Sequence, residues 1–78
     1  MCRFMPDPPK ISGEEAVAVF VRLGFEPVRQ RGSHVVLRKG ERGCVVPLHK
    51  SLAPGTLRNA IRQAGLTVAE FIDAWRAM

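Results

Sequence analysis

Cysteine is nearly missing from this chain. Cys2 and Cys44 are the only two and stand in no CxxC spacing, which argues against a disulfide-stapled secreted domain. Metal chemistry is equally poorly supplied, because Cys44, His34 and His49 have no standard ligand spacing and a zinc site is held by three or four protein ligands; no metal and no cofactor is expected. No glycine-rich phosphate loop, nucleophile elbow or paired-carboxylate constellation can be read, and no internal repeat or low-complexity tract occurs. Long apolar runs are missing too. Residues 1–10 are interrupted by Pro6, Pro8 and Pro9 and match neither an export signal nor a membrane span, so a cytoplasmic location without membrane contact is expected.

What is present is enough for one small core. Seventy-eight residues make a single domain, and a chain that is 46% hydrophobic and 24% charged has the composition of a folding one. Twelve Lys and Arg stand against seven Asp and Glu, for a formal charge of +5. Three of the twelve are Lys10, Lys39 and Lys50 and the other nine are arginine. A guanidinium offers a planar donor fork that matches phosphate oxygens, although a basic surface kept for solubility gives the same balance.

Local signals divide the chain into an arm over residues 1–10 and one domain over residues 11–78. Ser12 with Glu15 is a capping box, and Ala16, Val19, Phe20 and Leu23 follow at helical spacing up to a terminating Gly24. Residues 25–31, 34–38 and 44–48 read as strands, joined by Gly32 and Ser33 and by a five-residue polar turn over 39–43. Pro27 and Pro47 cannot donate to a ladder, which puts the first and third strands at the edges and the second in the centre. Pro54, Gly55 and Thr56 open a helix with Leu57, Ala60, Ile61 and Ala64 on one face, closed by Gly65. Thr67 with Glu70 then caps a last helix carrying Val68, Phe71, Ile72 and Trp75. The expected class is α+β: a three-stranded antiparallel meander with helices over one face and water on the other.

Side-chain alternation sends Val35 and Leu37 of the central strand to one face and His34, Val36 and Arg38 to the opposite one. His34 opens that strand and His49 follows the third, so an antiparallel hairpin turning around Glu41 brings residues near 34 across from residues near 48 or 49. Histidine titrates near neutral pH and passes protons in both directions. RNA cleavage asks for that and for cations on the phosphoryl oxygens, which Arg29, Arg31, Arg38, Arg42 and Lys50 are placed to supply. Most histidines of a basic domain are surface or structural residues, and Cys44 within a strand is expected to be a small buried hydrophobe.

Leu23, Gly24 and Phe25 followed by Arg31, Gly32, Ser33 and His34 resemble the "LGF" and "GSH" elements of the HicA family. Pro47, Leu48 and His49 resemble its "PxH" element. Gly55, Thr56 and Leu57, then Ile61, Ala64 to Leu66, Glu70 and Phe71 resemble its C-terminal half. The resemblance implies a fold like a double-stranded RNA-binding domain, α-β-β-β-α with a short helix added. It also implies an mRNA-cleaving toxin that arrests translation, needs no metal and is silenced by a HicB antitoxin. His34 is then the catalytic histidine and His49 a candidate second proton-transfer group. Arg29, Arg31, Ser33, Arg38 and Lys50 are the RNA-binding candidates. Residues 39–43 replace the His-Pro-Asp-Gly style of turn common in that family, and the arm is longer than many members carry.

Two other readings stand beside it. A domain of the double-stranded RNA-binding type holds RNA without cutting it, but such domains start their last main helix with several lysines, where this chain has only Arg58 among residues 54–58. A repurposed toxin that only binds its antitoxin is the third.

Overall fold

The computed structural model describes residues 10–78, so the arm expected over residues 1–10 lies outside the described residues except for Lys10. The chain runs α1 (Gly13–Arg22), β1 (Glu26–Arg31), β2 (His34–Lys39), β3 (Arg42–Pro47), α2 (Pro54–Gln63) and α3 (Val68–Arg76). That is the expected α+β order.

Local chemistry sets the helix ends. The Ser12 hydroxyl accepts from the Glu15 amide at 3.1 Å while the Glu15 carboxylate accepts from the Ser12 amide at 3.1 Å; Thr67 and Glu70 repeat this box at the start of α3. At the end of α1, Gly24 takes a φ of 103°, its amide donates to Val21 and the Phe25 amide donates to Phe20. This pair of hydrogen bonds satisfies two free carbonyls and needs a left-handed conformation that glycine adopts at little cost. It also brings the Phe20 and Phe25 rings edge to face, with centroids 5.6 Å apart. Phe25 therefore belongs to the helix cap, and β1 starts one residue later than the sequence pattern suggested.

The sheet is antiparallel in the order β1-β2-β3. Val35 and Leu37 of β2 lie opposite Val46 and Cys44 of β3, and all four are buried beneath the helices. One apolar cluster joins them to Ala16, Val19 and Phe20 of α1, to Leu57, Ala60 and Ile61 of α2 and to Phe71 of α3. Phe20 and Phe71 touch with ring centroids at 5.2 Å, and Trp75 packs half-buried at the margin. Strand β1 adds nothing to the core: all six of its residues are exposed, and a register shift between Pro27 and Arg29 marks a bulge. Pro27 does sit on an edge strand. The other edge is guarded, because the outward amide of Val45 donates to the Gln63 side chain of α2 at 3.3 Å.

The β2–β3 connection differs from expectation. Only Gly40 and Glu41 turn the chain, and Lys39, Arg42 and Gly43 pair within the ladder. Gly40 takes a φ of 62°, so two residues suffice where five were expected. Lys39 also leaves the turn chemically, since its ammonium donates to the Leu23 carbonyl at 2.9 Å and lies 5.9 Å from the Phe25 ring centroid. A cation thereby closes the C-terminus of α1.

Candidate functional site

The register arranges the uncovered face of the sheet in rows, because residues opposite one another in an antiparallel ladder share a face. The first row holds Arg31, His34 and Pro47, the last of them buried with its backbone against Gly13; the second holds Arg29, Val36 and Val45; the third holds Glu26, Arg38 and Gly43. Rows are two residues apart, about 6.6 Å, so Arg38 stands about 13 Å along the strand from His34. His34 is exposed on this face. Arg31, its direct partner across the ladder, is the cation nearest in register. The Arg38 stem leans over Gly43, its Cγ 3.6 Å from where a Cβ on that glycine would stand.

His34 and His49 do come to one end of the sheet, though not as opposed residues. The tight turn centres the hairpin between Gly40 and Glu41, half a residue earlier than a turn around Glu41, and His34 pairs with Pro47 rather than with 48 or 49. His49 lies beyond the ladder. Its position is fixed by backbone: the Leu48 amide donates to the Ser33 carbonyl, and the His49 carbonyl accepts from the Gly13 amide at 2.8 Å. Two residues further on, the Leu52 amide donates to the Ile11 carbonyl at 2.9 Å. Gly13 permits this contact, since a Cβ there would come within 2.1 Å of the Pro47 oxygen and 2.6 Å of the Leu48 Cα.

The two imidazoles open onto different surroundings. His49 and Lys50 are exposed and line a shallow cavity of about 220 Å³ with Ser12, Glu14 and Leu48, a neighbourhood at the start of α1 that no sequence pattern indicated. His34 is not part of its wall. Ser33 is exposed in the turn before His34, and Gln30 bonds the Gly32 carbonyl at 3.1 Å across that turn. A larger cavity of about 430 Å³ lies between α2 and α3, walled largely by Ile61, Leu66 and Val68 with Arg58 and Arg62; it contains no histidine and no carboxylate.

One cation named from the sequence stands away from His34, and Cys44 is the buried hydrophobe that its strand position led to. Arg42 sits at the far end of the β2–β3 hairpin from His34, and its guanidinium packs 3.2 Å from a Cβ position on Gly65. There it helps hold the Glu70 carboxyl below its usual range, behind the larger effect of the Thr67 hydrogen bonds. It therefore serves the α2–α3 turn. Cys44 is buried, and burial pushes its thiol up to about 11, so it remains a neutral hydrophobe with no nucleophilic role. Among the described residues no three His, Cys, Asp or Glu side chains converge as a metal set, and no helix is long and apolar enough to cross a membrane.

The family model for the HicA toxin of bacterial toxin-antitoxin systems matches residues 13–66. The matched span runs from the glycine that opens α1 to the close of the α2–α3 turn, and so contains the whole sheet and both histidines. No curated protein matches the chain.

Proposed function

This chain belongs to the HicA toxin family, and we propose that it is an endoribonuclease that cuts mRNA to arrest translation, with His34 as its acid–base catalyst. The observation that carries the proposal is the position of His34: exposed at the mouth of β2, on the uncovered face, with Arg31 directly across the ladder. A polyanion reaches an imidazole there without disturbing the core. His34 takes the proton of a ribose 2′-hydroxyl as its oxygen attacks the adjacent phosphorus. The new O–P bond forms as the bond to the 5′-oxygen breaks, and that oxygen leaves with a proton. Arg31 faces the charge that gathers on the phosphoryl oxygens, while Arg29 and Arg38 along the sheet and Lys50 beside His49 hold flanking phosphates. Gly32 and Ser33 present His34 through their turn.

His49 is the proposed second proton-transfer group. It supports leaving-group protonation from the same end of the sheet, one residue past the Ser33–Leu48 bond. The reaction needs no metal, so a chelator leaves the rate unchanged.

A toxin of a toxin-antitoxin system has an antitoxin as its partner. A HicB-type antitoxin silences this one in the cytoplasm by covering the arginine-bearing face with carboxylates or bulk. Labelled RNA tests the catalytic reading: the expected products carry a 2′,3′-cyclic phosphate, or the phosphate left by its hydrolysis, and a free 5′-hydroxyl. RNA that is retarded but left intact would instead identify a binding module, and 5′-phosphate ends would remove the 2′-hydroxyl route.

A further inference from the structure

The second row of the open face is unlike the rows on either side of it. Val36 and Val45 lie directly opposite one another, and Val45 is 40% exposed, whereas the neighbouring rows carry Arg31 with His34 and Arg38 with Glu26. Arg29 completes the row. The register thus sets a half-buried and an exposed valine side by side with an exposed arginine next to them, one row from His34. Resting on the reading of His34 as a ribonuclease residue, we infer that Arg29, Val36 and Val45 seat the nucleobase of the nucleotide next to the scissile phosphate.

Charge and shape favour an RNA occupant. The patch is bracketed by cations, Arg31 in the row of His34 and Arg38 in the row beyond, and Glu26 is the one carboxylate in the three rows. That alternation of cation, apolar patch and cation matches a strand whose phosphates are charged and whose bases have apolar faces. The sheet face carries no aromatic ring in these rows, so a base rests on a guanidinium plane and on methyl groups. Arg29 is the row's one hydrogen-bonding side chain. The seat therefore selects by the area of the base more than by its edge, and adenine is preferred over uracil.

The test uses full-length protein carrying His34→Ala, so that RNA is bound and not consumed, titrated with oligoadenylate and oligouridylate at several salt concentrations. Adding Val36→Thr and Val45→Thr weakens oligoadenylate binding about threefold to tenfold and removes the preference over oligouridylate, because apolar contact is lost. The slope of affinity against salt stays the same. Arg31→Gln or Arg38→Gln in the same background lowers that slope by about one counterion. A threonine double variant that melts at the parent temperature and binds both oligonucleotides like the parent overturns the inference and leaves the patch to another partner. Val45→Tyr, which enlarges the platform, tightens binding; weaker binding by that variant also counts against the seat. Failure of the His34-bearing protein to cut RNA defeats the catalytic reading separately, since the valine effect is read in binding alone.

Discussion

The amide of Leu48 donates to the carbonyl of Ser33, and His34 and His49 each follow one residue behind that bond. Their common location is thus set by main chain and not by any contact between the rings. The same segment is bonded again to the start of α1, where the Gly13 amide meets the His49 carbonyl. Helix, turn and strand end are fastened at one point, which gives a small domain a rigid place for chemistry.

Gly13 should be the residue least tolerant of a methyl group. Gly13→Ala forces backbone apart at Pro47 and Leu48, with an expected loss of about 1–3 kcal/mol and a shifted His49 resonance in NMR spectra. Gly55→Ala, where nothing lies within 4 Å of the added atom, should hold or raise stability by up to about 1 kcal/mol. Urea unfolding of the two variants makes the comparison, and equal midpoints would show that the α1 contact is loose.

Arg31 and Arg42 should separate cleanly in kinetics. Arg31→Gln removes a charge opposite His34 and is expected to lower kcat/KM for RNA about tenfold, the size of one charge-assisted hydrogen bond. Arg42→Gln should leave cleavage intact, because that side chain lies over Gly65 at the other end of the sheet. A large activity loss in Arg42→Gln would place the substrate along the whole hairpin.

Acid should weaken the start of α3. Glu70 is held below the ordinary carboxylate range first by the Thr67 backbone hydrogen bond. A lowered folded value means that its contribution is present above the unfolded carboxylate pKa and is lost as pH falls through the folded one. Trp75 fluorescence, reporting from α3 itself, should show the parent losing stability over that acid window while Glu70→Gln changes less. Identical pH profiles would remove the capping box from the acid response.

Cys44 should be silent until the protein opens. Its thiol is pushed from 9.0 to about 11 by burial, so its contribution to stability is full below pH 9 and declines as pH rises toward 11. In a Cys2→Ser background, iodoacetamide should label Cys44 only as fast as the domain unfolds. Fast labelling of folded protein would contradict the buried position.

Phe71 is the sole fully buried residue of α3, and it anchors the helix through Phe20. Phe71→Ala should cost about 3–5 kcal/mol, read as a lowered melting temperature.

Short-range signals were legible in the sequence. Both capping boxes, the glycine closures at Gly24 and Gly65 and the alternation of Val35 and Leu37 with His34 and Arg38 depend on neighbours within a few positions, and the structure shows each of them. Long-range placement was not legible. The turn at Gly40 and Glu41 is shorter than its polar composition suggested, and the half-residue shift of the hairpin centre gave His34 the partner Pro47. Lys39 and Arg42 read as parts of a polar turn, Arg42 also as a cation for phosphate, yet Lys39 caps the Leu23 carbonyl and Arg42 covers Gly65, destinations set by where α1 and the α2–α3 turn pack. Nothing in the residues 26–31 pattern foretold a strand exposed on every residue.

The most direct measurement is the RNA cleavage rate of His34→Ala against the parent, both shown to be folded by the same thermal unfolding profile. A loss of about 100-fold or more is expected for removal of the acid–base group. Cleavage within a few-fold of the parent, with the variant fully folded, would contradict a catalytic His34.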